Sequence, residues 1–193
     1  MTHADDILVF WFGQPGMDKQ YYEAQRQLWF AADPKIDQEI RTRFLSDYRQ
    51  ATDGALAHWR DAPRTALALI LLFDQFPRNM FRGDPRAFAT DPLARQVTAQ
   101  LLQAKHDTGM PPAERMFMYM PFMHSENLAE QRQSVALFEQ LGRDHPSFDS
   151  SAYALRHLEI VERFGRFPHR NAILDRVSTP EEREFLEQPG SSF

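Results

Sequence analysis

Two short stretches of this chain concentrate side chains that can hold an anion. One runs Phe76-Pro77-Arg78-Asn79 and continues to Arg82; the other runs Arg166-Phe167-Pro168-His169-Arg170-Asn171. Each follows a helical pattern that its proline should end, because proline lacks an N–H and its ring clashes with the preceding turn. A basic group just past a helix C-terminus meets the negative end of the helix dipole, which accounts for one arginine after each helix. It does not account for Arg78, Asn79 and Arg82 at one end and Arg166, His169, Arg170 and Asn171 at the other. Guanidinium forks and carboxamides at this density suit a phosphate or a carboxylate. Asp74 is the expected internal counter-charge. The same residues also suit a structural Arg–Asp–Asn network that locks the loops, and spacing leaves both readings open.

A third string, Tyr119-Met120-Pro121-Phe122-Met123-His124-Ser125-Glu126-Asn127, carries groups for acid–base work. Its proline should break the helix and set Tyr119, His124, Ser125 and Glu126 on a loop or a helix start. Histidine titrates near neutrality and glutamate can orient it or act as a base, so His124 and Glu126 are the candidate catalytic residues. Ser125 lacks the glycine elbow of a hydrolase nucleophile and reads as the N-cap of the next helix. His124, Glu126, His157 and His169 are possible metal ligands by type. None has the close paired spacing of a metal motif, so no metal ligand is expected. No glycine-rich phosphate loop or dinucleotide fingerprint occurs either, and no cofactor is expected. Met116, Met120 and Met123 share one helical face and read as core filler rather than a soft-metal site.

The elements that position these strings are helices. Ala and Leu total 39 residues against 11 for Val and Ile, and apolar residues recur at helical rather than alternating spacing. Stripes run through Ile36, Ile40, Phe44 and Tyr48; Leu93, Val97, Leu101 and Ala104; Leu128, Val135, Phe138 and Leu141; and Leu155, Leu158, Val161 and Phe164. Asp33-Pro34 and Asp91-Pro92 each read as an N-cap followed by proline at the first helical position, and Thr179-Pro180-Glu181-Glu182 as a capping box. Gly13, Gly109 and Gly142 sit where helices should stop. The spacing predicts eight or nine helices, near 4–12, 18–31, 34–51, 62–75, 92–106, 112–119, 127–141, 149–164 and 180–187. The aromatic start (Trp11, Tyr21, Tyr22, Trp29) should pack between the first two. Short loops imply antiparallel helical hairpins in one all-α domain spanning 1–193, stacked as a bundle or a short α/α superhelix.

Composition narrows the class of function. The net charge of −5 removes the electrostatic footprint of a nucleic-acid binder. The absence of cysteine excludes disulfides, thiolate metal sites and cysteine nucleophiles, and suits a reducing compartment. The longest strongly apolar run, Ala66 to Phe73, is under half of the roughly 20 residues a membrane helix needs. The start is acidic where a secretory signal would be basic. A cytoplasmic protein with neither nucleic acid nor membrane as partner is expected.

The strings from Phe73 to Gly83, Tyr119 to Glu126 and Phe164 to Asn171 together resemble a bacterial family known as domain of unknown function 924, grouped with tetratricopeptide-like helical folds. The resemblance covers nearly the whole chain. It implies a tetratricopeptide-like α/α superhelix and no particular activity. The leading expectation is a pocket for a small phosphate- or carboxylate-bearing ligand. Arg78, Arg82, Arg166 and Arg170 would hold the anion, with Asp74, Asn79, Tyr119, His169 and Asn171 around it and His124 with Glu126 able to transfer a proton. The alternatives are a peptide-binding module of tetratricopeptide type and, behind it, a metal-dependent hydrolase built on the histidines.

Overall fold

The structure is a computed structural model that describes residues 3–14 and 19–192. The side chains of residues 19–24 are outside the described set, and with them the packing expected of Tyr21 and Tyr22. Among the described residues there is no strand, and the fold is all-α. The chain divides into two compact units, Met1–Arg82 with Arg86–Pro121, and Gly83–Pro85 with Phe122–Phe193.

The first unit holds α1 (His3–Phe12), α2 (Lys19–Phe30), α3 (Pro34–Thr52), α4 (Pro63–Ile70), α5 (Phe76–Met80), α6 (Asp91–Gln103) and most of α7 (Pro112–Met123). Its centre is α4. Ala66 to Phe73 are each at most 2% exposed, so this segment is apolar on every side and is wrapped by α1 and α6. Trp11 packs edge-on against Phe76 and Phe117, at centroid distances of 5.5 and 5.4 Å, and Trp29 lies 4.9 Å from Phe117. The aromatic start therefore also packs on α5 and α7. Asp33 caps α3 as expected, accepting from the Lys35 N–H at 2.8 Å.

Two prolines do not stop their helices. After α4 the backbone widens into a π-helical turn, Leu71–Gln75, in which the Phe76 N–H donates to the Leu71 carbonyl, and α5 continues to Met80. Pro77 has no N–H for the Phe73 carbonyl four residues back. The Thr90 hydroxyl donates to that carbonyl instead, at 2.7 Å. α7 also runs through Pro121 to Met123, and nearby the Thr98 hydroxyl donates to the Met118 carbonyl at 2.9 Å. Asp91 is not a cap: it is the first residue of α6, and its carboxylate pairs with Arg78.

The second unit is built on α8 (Leu128–Asp144) and α9 (Ser151–Phe164), which pack along one another, followed by α10 (Pro180–Leu186). Asn127 rather than Ser125 caps α8, accepting from the Ala129 and Glu130 N–H groups. The Ser125 hydroxyl donates to Glu130 and accepts from the Asn127 N–H. Gly142 does not end α8. It lies within the helix, and a Cβ there would fall 2.8 Å from the Asp149 carboxyl carbon, so its smallness admits the connection to α9. Leu128 and Leu155 of the expected stripes are exposed at 36% and 47%. The buried faces are instead Gln131, Ser134, Phe138 and Leu141 on α8, and Ala154, His157, Ile160 and Val161 on α9. Gly165 ends α9 in the left-handed region at φ 70°, and Thr179 with Glu182 forms the expected capping box of α10.

Candidate functional site

In the first unit the polar residues flank the π-helical turn. Asp74 is fully buried and lies 3.2 Å from Arg78, whose guanidinium also forks onto Asp91 at 2.8 and 3.0 Å. Burial works against the Arg78 charge, but Asp74 and Asp91 hold its pKa above the ordinary arginine value. Asn79 donates to the Gln75 carbonyl at 3.0 Å. Arg82 forks onto Asp37 with both contacts at 2.8 Å. Tyr119 is buried inside α7. It donates to Asp107 at 2.8 Å and accepts from Arg115, and burial is the main cause that pushes its phenol up to about 12. Each of these five residues has its partners within this unit.

The second unit assembles the rest. Arg166 forks onto Glu182 at 2.6 and 2.8 Å, and that contact, against the opposing effect of burial, brings the Glu182 carboxyl down to about 2. Asn171 donates to Ser178 at 3.0 Å and to Glu182 at 3.3 Å. Burial raises Glu126, but both Arg176 nitrogens and the Phe167 N–H, at 2.8 to 3.0 Å, outweigh it and leave its pKa below the ordinary value. A carboxylate held in this way stays ionised near neutral pH and has no proton to give. Glu126 thus fixes the Phe167 loop by charge.

His124, His157, His169 and Arg170 lie together around Phe167. The guanidinium of Arg170 sits 4.5 Å above the Phe167 ring and donates to the His124 carbonyl at 3.0 Å. His157 packs edge-on against Phe167 at 5.5 Å, and its ring centre is 6.2 Å from that of His124. The His169 ring is 5.7 Å from Phe167. The His157 Nδ1 lies 2.7 Å from the Tyr153 carbonyl, a contact in which only the nitrogen can donate. Burial first, and then His124, Arg170 and His169, lower His157 to about 3, while the bond to Tyr153 opposes them. His157 is therefore a neutral ring behind two partly exposed imidazoles. In the sequence His157 stood only among the possible metal ligands by type, outside the expected anion pocket. Its spacing to His124 and His169 is too long to have signalled a cluster.

The arrangement defines an all-α protein with a compact group of imidazoles and one guanidinium in its C-terminal unit. Among the described residues, no group of three or more His, Asp or Glu has the geometry of a metal site, and no helix is long and apolar enough to cross a membrane. The chain belongs to the family described as bacterial protein of unknown function (DUF924), whose model matches residues 7–190. It is similar to a solved structure from Agrobacterium tumefaciens, a protein of unknown function. That similarity is at 40% identity over 95% of this chain and 96% of the other, with a TM-score of 0.83. No functionally curated protein matches the chain.

Proposed function

We propose that the second unit binds a small oxyanion, a phosphate- or carboxylate-bearing metabolite, on Arg170, His124 and His169. The observation that carries this reading is the convergence of His124, His169 and Arg170 on the buried, neutral His157, where each lowers the His157 pKa. An anion arriving there relieves the mutual repulsion of these groups and raises the proton affinity of His124 and His169. Arg170 supplies a fixed charge, oriented by Phe167 and the His124 carbonyl. His124 is the candidate proton carrier. Arg78, Arg82 and Arg166 serve the fold through Asp91, Asp37 and Glu182 and are not ligands in this reading. On a cytoplasmic, tetratricopeptide-like scaffold the same groups would also accept a peptide carboxylate, which the test separates.

Inorganic phosphate, citrate and a short C-terminal peptide are titrated against the protein, with unfolding temperature and histidine ring proton shifts as readouts. At about 100 times its dissociation constant, the right ligand adds ~2.7 kcal/mol of stability. Phosphate or citrate should raise the titration midpoints of His124 and His169, and His169→Ala should weaken both effects while the fold is retained. Stabilisation by the peptide alone favours the peptide-binding reading. If no probe moves either histidine, the anion site is wrong.

A further inference from the structure

The first unit contains a cavity of about 130 Å³ that the arginine-rich strings do not touch. Its walls are Ala51 at the end of α3, Leu56 in the turn that follows, Leu69 of α4, Phe73 of the π-helical turn and Leu93 of α6. Arg60 is the charged group on its lining. The cavity reaches the surface beside Gly54, which is exposed. Its volume is near that of apolar cavities of about 150 Å³ that accept benzene, but it opens to solvent along Thr52, Gly54 and Ala57. Phe73 and Leu69 are at most 2% exposed, so the wall at the inner end is apolar.

Arg60 sets the chemistry of the outer end. It is half-buried and donates to the neutral amide oxygen of Gln100 at 3.1 Å. Among the described residues, no carboxylate lies within ion-pair distance of it. The nearby C-terminus of α3 would repel an anion if its last carbonyls were bare. Two of them are not: the Ala55 N–H donates to the Gln50 carbonyl at 2.9 Å and the Gly54 N–H to the Ala51 carbonyl at 3.2 Å, with Gly54 at φ 81°. We propose that this cavity binds a small monocarboxylate with a compact apolar body, such as a benzoate or a short branched acid. The apolar body lies against Leu69, Phe73 and Leu93 and the carboxylate on Arg60. This ligand site is independent of the oxyanion site of the second unit.

The test is a titration of the full chain with sodium benzoate and, separately, with toluene as a neutral body of similar size. Binding is followed by the backbone amides of Ala51 and Gly54 and the methyls of Leu69 and Leu93. The expected result is saturable benzoate shifts at these positions. Arg60→Gln should weaken benzoate by about ten-fold or more, as for loss of a charge-assisted bond, and leave toluene unchanged. Ala51→Leu should fill the cavity and abolish both. Should Ala51→Leu fail to fold, Leu93→Phe fills it from the opposite wall with the same expectation. The proposal is overturned if benzoate shifts appear only at His124 and His169 or nowhere. It is also overturned if a cavity-filling variant binds benzoate as well as the wild type does.

Discussion

His157 shows what a single buried ring does to the pH behaviour of the protein. Its folded pKa, lowered to about 3 mainly by burial, lies below the ordinary value of 6.5. Between these values the unfolded chain binds a proton that the folded chain refuses, so this residue makes stability fall as pH drops below about 6.5. Above that pH it contributes no slope. His157→Phe keeps a ring against Phe167 but removes the titration. Unfolding free energies from urea titrations at pH 7.5 and pH 5 should therefore differ less for His157→Phe than for the wild type, by on the order of 1–2 kcal/mol. Equal differences in the two proteins would show that His157 is protonated in the fold.

At the scale of the element, α8 depends on a glycine in its last turn. Alanine is the better helix former by up to about 1 kcal/mol, so an exposed Gly142→Ala would stabilise. Here the new Cβ would meet Asp149 at 2.8 Å, and Asp149 accepts from both the Ser151 N–H and the Ser151 hydroxyl at the start of α9. Gly142→Ala should therefore cost about 1–2 kcal/mol in thermal or urea unfolding. In an Asp149→Gly background the obstacle is gone, and the same change should become neutral or stabilising. Additive effects in that double-mutant cycle would mean that the close approach does not limit α8.

For the whole chain, helix existence was legible because 3.6-residue periodicity and caps such as Asp33 and Thr179 are local signals. The passage of the helix through Pro77 was not, because the Thr90 hydroxyl that satisfies the freed Phe73 carbonyl is 17 residues away. The candidate site was half legible for the same reason. The strings pointed to Arg82 and Glu126, but their partners Asp37 and Arg176 lie 45 and 50 residues off, and no spacing rule connects them. Burial also ranks the elements by resistance to opening. Hydrogen exchange should be slowest at the amides of α4, where Ala66 to Ile70 are at most 1% exposed, and much faster in α10, where most positions face solvent. Equal protection of the two would contradict that ranking.

The π-helical turn makes one place in the first unit tolerant of a change in chain length. Leu71–Gln75 holds one residue more than an α-helical turn needs, as the bond from the Phe76 N–H to the Leu71 carbonyl shows. Excising one residue there lets the backbone close into an ordinary α-helix, with α4 still facing α6 and α5 still facing α3. An excision within α4 itself would instead swing everything after it by about 100°, carrying Arg78 away from Asp91. The segment is thus a splice point, where a residue can be lost without turning either flanking helix.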